Sequence, residues 1–186
     1  WYDEVGRVVG TQSPNSAARK STFDGLGRTT VAYVTDHLGD AAQGSGSHAD
    51  VYDDFAANVA DDRVLEQTEY AYVPGTATDR MGLLDLVTRR QRIHDDTTSD
   101  GELDADTSVA TYQAVFYDLA SRVEATADYG TNLGEFRSKT GGGDPSAPPS
   151  IVQGSVPPST DSVLVTTTQY DIRGVTGASI DPMGRR

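Results

Sequence analysis

YDEVGR at residues 2–7 and FDGLGR at residues 23–28 share one pattern: an aromatic residue, Asp, two variable residues, Gly and Arg. Asp is favoured at the first position of a type I turn and Gly at the fourth. The Asp side chain accepts a hydrogen bond from the backbone N–H two residues on, and Gly takes the left-handed conformation that ends a three-residue hairpin loop. Each stretch therefore predicts the tip of a β-hairpin rather than a catalytic loop.

The pattern recurs later in the chain. YDLASR at residues 117–122 has Ser in place of Gly, and YDIRGV at residues 170–175 has Val in place of Arg. DPMGR at residues 181–185 is the same turn with Pro182 at its second position, where the fixed φ of proline is suitable. We assign the following residues to the repeated turns: Tyr2, Asp3, Gly6, Arg7, Phe23, Asp24, Gly27, Arg28, Tyr117, Asp118, Arg122, Tyr170, Asp171, Gly174, Asp181, Pro182, Gly184 and Arg185.

The segments between the turns are rich in β-branched and aromatic residues, which favour strands. The recurrence of Val51, Phe55 and Val59 every four residues leaves open a short helix ending at Asp61. The predicted fold is all-β, a ribbon or spiral of repeated antiparallel β-hairpins. The predicted strands are residues 29–34, 64–73, 83–93, 108–116 and 162–170.

The domain organisation follows from composition. We expect a hairpin array over residues 1–139, with insertions at the Gly/Ser-rich stretch 39–50 and the acidic stretch 94–106. Residues 140–160 are rich in Pro and Gly and predict a loop or linker, and residues 161–186 predict a further repeat unit. The chain begins inside a motif without an initiator Met, so we expect a fragment truncated at both ends.

Composition limits the function. The 186 residues carry a formal net charge of −13, which disfavours binding to nucleic-acid phosphates. With no cysteine, neither a disulfide nor a thiolate zinc site can form. No apolar run is long enough to span a membrane, and no nucleophile elbow or phosphate-binding Gly loop is present. We therefore predict neither membrane insertion nor enzymatic activity, and assign no catalytic residue.

The repeated aromatic-Asp-x-x-Gly-Arg pattern with the Asp-Pro-x-Gly turn resembles the YD (RHS) repeat. The resemblance implies a continuous β-hairpin ribbon that spirals into a large hollow shell, as in bacterial polymorphic toxins, insecticidal toxin complexes and teneurins. It implies a structural module of a secreted or surface-attached bacterial protein, whose partners are the rest of the same shell and an enclosed C-terminal toxin or effector domain. In some toxin members a similar Asp-Pro-x-Gly motif supports self-cleavage, but here an ordinary repeat turn is favoured.

The alternative function is carbohydrate binding at the cell surface, assisted by calcium. Tyrosines that could stack on sugar rings are Tyr52, Tyr70, Tyr72, Tyr112, Tyr117 and Tyr129.

The acidic stretch suggests a calcium site. From Asp96 onward its spacing resembles a calcium loop, but Thr107 stands where such a loop needs a bidentate Glu. A solvated acidic hairpin tip is therefore favoured over calcium binding. The candidate calcium ligands are Asp96, Asp100, Asp104 and Asp106.

Overall fold

A computed structural model describes residues 1–12, 17–36, 59–60, 62–74, 80–94, 100–131, 148–149 and 151–186. These residues contain no helix and form one nine-stranded antiparallel sheet in which the strands lie in sequence order. The predicted all-β class is therefore confirmed. Of the short helix considered from Val51 to Asp61, the structure describes only residues 59–60, which are not helical. The strands are β1 Gly10–Gln12, β2 Ala18–Phe23, β3 Thr29–Thr35, β4 Val64–Tyr72, β5 Leu84–Arg92, β6 Ser108–Tyr117, β7 Val123–Gly130, β8 Leu164–Tyr170 and β9 Thr176–Ile180.

The repeated motif sets the same register in three hairpins. Phe23 pairs with Thr29, Tyr117 with Val123, and Tyr170 with Thr176. In each hairpin the register shifts immediately before the aromatic residue, so a β-bulge precedes each tip. A bulge increases local twist and redirects the strand end, which gives these tips a common geometry.

The chain forms two compact units. The first comprises Trp1–Glu69 and Arg89–Val109. Its core contains Tyr33, Val59, Val64 and Leu103, with Val31 packed against it. Leu103 belongs to the acidic stretch 94–106, so the expectation that this whole stretch is exposed is wrong at this position.

A buried ion pair lies in the first unit. Lys20 on β2 pairs with Asp62, and each side chain is only 3% exposed. The backbone of Asp62 is also anchored, because its carbonyl oxygen accepts a 2.8 Å hydrogen bond from the N–H of Gly101. Charged groups are rarely this buried unless they are paired, so each side chain stabilises the burial of the other.

The second unit comprises Tyr70–Thr88 and Ala110–Arg186. Its core is built from β5 to β8, and part of the Pro-rich stretch packs against it through Ile151 and Val156. The core residues are Leu86, Tyr112, Ala114, Phe116, Ala125, Ala127 and Val165.

Candidate functional site: the hairpin tips

Each of the five repeated turns begins with an Asp that is bound in the same way. At residues 2–7 the N–H of Gly6 donates to the carbonyl oxygen of Asp3 over 3.0 Å, and the N–H of Asp3 donates to the carbonyl oxygen of Arg7 over 2.9 Å. Oδ1 of Asp3 accepts the N–H groups of Val5 at 3.1 Å and Arg7 at 2.8 Å. The same four bonds occur at Asp24, Asp118, Asp171 and Asp181.

The second carboxylate oxygen of each Asp pairs with an arginine. Nε of the arginine donates to Oδ2 at 2.6 Å for Arg7 and Asp3, and at 2.8 Å for Arg122 and Asp118. Arg28 and Arg185 pair with Asp24 and Asp181 in the same way, each at 2.7 Å. These contacts bind the ionised form of the carboxylate.

The pKa of the tip carboxyls is lowered accordingly. For Asp118, the side-chain hydrogen bond from Arg122, followed by its backbone N–H, holds the pKa below the ordinary value. For Asp181, the backbone hydrogen bond from Arg185 is the largest cause of a lowered pKa. A carboxyl whose pKa is lowered in this way stays ionised at neutral pH and remains bound to the turn.

The tips at residues 117–122 and 170–175 depart from the aromatic-Asp-x-x-Gly-Arg pattern but keep the same turn geometry. Ser121 replaces Gly and has a φ of 60°, the one positive φ of a non-glycine residue in the described ranges. In the tip at residues 170–175, Arg173 takes over the pairing, with Nε 3.0 Å from Oδ2 of Asp171. The arginine can therefore come from either of two positions after the Asp.

Arginines also connect one tip to the next. Cζ of Arg7 lies 4.7 Å from the centroid of the Phe23 ring, and its Nη1 is 3.4 Å from the carbonyl oxygen of Asp24. A Cβ placed on Gly27 would lie 3.5 Å from the same Nη1. Phe23, Asp24 and Gly27 thus form a socket for the Arg7 guanidinium.

A second socket occurs in the other unit. Cζ of Arg122 lies 4.2 Å from the centroid of the Tyr170 ring, and a Cβ on Gly174 would lie 3.1 Å from Nη1 of Arg122. Gly therefore has two roles in a tip, since it adopts a positive φ and leaves space for an arginine from the neighbouring hairpin. The pattern alone predicted only the first role.

An open cleft of about 650 Å³ adjoins the tip at residues 117–122. Both of its arginines already bind protein groups: Nε of Arg80 donates to the carbonyl oxygen of Asp118 over 3.2 Å, and Arg122 pairs with the Asp118 carboxylate. The two arginines that line this cleft are therefore already bound to Asp118 of the adjoining tip. The cleft is lined by Arg80, Asp118, Leu119, Ala120, Arg122, Glu124 and Gly154.

The candidate calcium ligands do not converge in the part of the chain that the structure describes. Oδ1 of Asp104 accepts the N–H groups of Asp106 and Thr107 and the hydroxyl of Thr107, which lowers the Asp104 pKa. Across the described ranges no group of three or more His, Asp or Glu side chains is placed to hold a metal. Asp100 is described and belongs to no such group, and Asp96 lies outside the described residues.

The acidic stretch is anchored to the first unit by polar bonds that sequence reasoning missed. The Tyr33 hydroxyl donates to Oε1 of Glu102 at 2.7 Å, and the N–H of Leu103 donates to Oε1 of Gln67 at 2.8 Å. Burial, together with this carboxylate, raises the pKa of Tyr33.

The Pro-rich stretch contributes a second unexpected anchor. Nε2 of Gln153 donates to Oδ1 of Asp85 at 2.7 Å and to the carbonyl oxygen of Val115 at 2.8 Å, and its Oε1 accepts the N–H of Tyr117 at 3.3 Å. The Gln153 amide thereby satisfies backbone groups at the end of β6 beside the bulge. No local pattern marks such a residue, because its partners are distant in sequence.

Within the described residues, no helix is long and apolar enough to cross a bilayer. No family model matches the chain, and a search of curated proteins finds no match. The family resemblance therefore remains a prediction based on the repeated turn pattern.

Proposed function

We propose that this chain is a structural module of a YD-repeat (RHS) protein, secreted or attached to the bacterial surface. In this role the hairpins build part of a β-shell that encloses a C-terminal toxin or effector domain, and the module has no catalytic activity of its own. Its partners are the remaining hairpins of the same shell and the enclosed domain.

The observation that carries this proposal is the repeated tip geometry. Tips as distant in sequence as residues 2–7 and 181–185 form the same set of backbone and carboxylate hydrogen bonds. An isolated hairpin is marginally stable in water, so lateral pairing of many similar hairpins is the physical use of such a repeat. The tip carboxylates are bound by N–H groups and arginines, which supports an architectural role.

Electron microscopy of the complete parent protein tests this proposal. We expect class averages of a hollow particle whose wall is one sheet thick. Separate globular domains joined by linkers would contradict the proposal. Intact mass of the parent protein and its Asp181→Asn variant tests the absence of self-cleavage at this turn, since both are expected to remain uncleaved.

Carbohydrate binding is the alternative function. The exposure of the described tyrosines limits which of their rings could stack on a sugar. Tyr112 and Tyr117 are buried, so their rings are not placed to stack on a sugar. Tyr129 is partly exposed and packs against the core of the second unit. Tyr70 and Tyr72 are partly exposed. A glycan array with the native chain and Tyr70→Ala tests this function: binding lost in the variant would favour it, and a blank array would count against it.

A further inference from the structure

The two occupied sockets define a binding site for a guanidinium group. In both, the ring belongs to the residue immediately before the Asp, and the arginine comes from a neighbouring hairpin. In both, the guanidinium lies where a side chain on the tip Gly would project. The aromatic face and the unblocked Gly, joined in the first socket by the Asp24 carbonyl oxygen, match the flat, donor-rich guanidinium better than a compact ammonium group.

The tip at residues 2–7 has the same socket in an open form. Tyr2 occupies the ring position and is 72% exposed. Gly6 has a φ of 83°, close to the 80° of Gly27, and no atom of the described residues lies within 4 Å of a Cβ placed on it. The Asp3 carbonyl oxygen holds the position that the Asp24 carbonyl oxygen has in the occupied socket.

Other tips lack one part of this socket. At residues 181–185 the ring position is Ile180, which offers no aromatic face to a cation. At residues 117–122, Tyr117 is only 7% exposed and Ser121 places a Cβ where the guanidinium would lie. The combination of exposed ring and unblocked Gly is therefore specific to Tyr2 and Gly6 among these open tips.

We propose that Tyr2, Asp3 and Gly6 bind the guanidinium of an arginine presented by another hairpin tip. The strongly acidic chain attracts cationic partners at long range, and the Tyr2 ring with the Asp3 carbonyl oxygen selects arginine over lysine at contact. This inference is independent of the proposed role in a shell, because it rests on the two occupied sockets.

A titration followed by NMR tests the proposal on the full chain. The probe is N-acetyl-arginine methylamide, with the lysine analogue at equal ionic strength as control. We expect saturable shifts of the Gly6 amide and the Tyr2 ring with the arginine analogue, and shifts several-fold smaller with the lysine analogue. Half-saturation is expected at millimolar concentrations, because exposed cation–π contacts are weak.

Variants distinguish binding of the arginine analogue at the Tyr2 socket from nonspecific binding elsewhere on the chain. Tyr2→Leu should abolish the Gly6 shift, whereas Tyr170→Leu, in the other unit, should leave it unchanged. Arg122→Ala vacates the second socket. The arginine analogue should therefore shift the Gly174 amide in this variant but not in the native chain. The proposal is overturned if the native Gly6 amide does not respond, if lysine gives an equal response, or if Tyr2→Leu retains the shift.

Discussion

Arg122 lies over the ring of Tyr170, with its Cζ 4.2 Å from the ring centroid, although the two residues belong to different hairpins. The same arginine pairs with Asp118 in its own tip. One guanidinium thus stabilises the turn from which it comes and also packs on the next hairpin. Arg122 therefore links the tip at residues 117–122 to the tip at residues 170–175.

Replacing Gly174 with Ala should destabilise the chain more than replacing Gly6. Both variants force an L-residue into a positive φ, which costs roughly 1 kcal/mol. Only Gly174→Ala also crowds Nη1 of Arg122, at 3.1 Å, and so weakens its contact with Tyr170 by a further ~0.5–1 kcal/mol. Urea denaturation of the two variants measures the difference, and equal free energies of unfolding would contradict the second role of Gly.

The tip carboxylates should make the fold sensitive to acid. The folded-state pKa of Asp118 lies below the unfolded value, chiefly because of the side-chain hydrogen bond from Arg122. Its contribution is therefore fully present above the unfolded pKa of about 3.9 and is lost as the pH falls through the lower, folded pKa. Thermal melts between about pH 5 and pH 2 should show a weaker pH dependence for Asp118→Asn than for the native chain.

Asp161 provides the control for this experiment. It is an exposed aspartate outside the tips, and Asp161→Asn should give melts that parallel those of the native chain. If Asp118→Asn also paralleled the native chain, the linkage between the Asp–Arg pair and acid stability would be wrong.

Breaking the buried pair of Lys20 and Asp62 should be strongly destabilising. Lys20→Met leaves the Asp62 carboxylate buried without its counter-ion, which costs roughly 3–5 kcal/mol. The double variant Lys20→Met with Asp62→Leu removes both charges and should recover most of this loss. Urea denaturation of the two single variants and the double variant measures the coupling free energy between the two side chains. If the effects of the two changes on the free energy of unfolding were additive, the side chains would not interact.

Gln153→Ala should reduce the free energy of unfolding by roughly 1–3 kcal/mol, because it leaves polar groups of β6 without their partner. Gln169→Ala, at an exposed position on β8, should change it by less than about 0.5 kcal/mol. Chemical denaturation compares the two variants, and an equal, small effect of both would mean that solvent replaces the Gln153 amide without loss.

The sequence predicted the hairpin tips and five of the strands because their causes are local. Asp, Gly and the intervening residues close the turn by themselves, so the pattern in residues 23–28 was sufficient to place the tip between β2 and β3. Runs of β-branched residues were sufficient for β3 and β8. The strands β1, β2, β7 and β9 were missed, since they are short or carry charged and small residues.

Contacts between distant positions were not predictable in the same way. From the sequence alone Lys20 would be assigned to the surface. Its burial depends on its pairing with Asp62, which follows a long insertion in the chain. Gln153 stands in a Pro-rich stretch that predicted a linker, yet its amide binds Asp85 and the end of β6. Neither residue has a neighbour in the sequence that indicates its partner.

The sequence by itself determined the turn chemistry of this protein: Asp as acceptor, Gly or Ser at positive φ, and an arginine within reach of the carboxylate. Those interactions lie within six residues, so chain geometry alone brings the groups together. Only the tertiary structure decided which arginine meets which ring, because the contact of Arg7 with Phe23 requires two hairpins to pair in a particular register. It also decided that Tyr2 presents an exposed ring beside an unblocked Gly6, since exposure depends on what packs alongside and not on the motif.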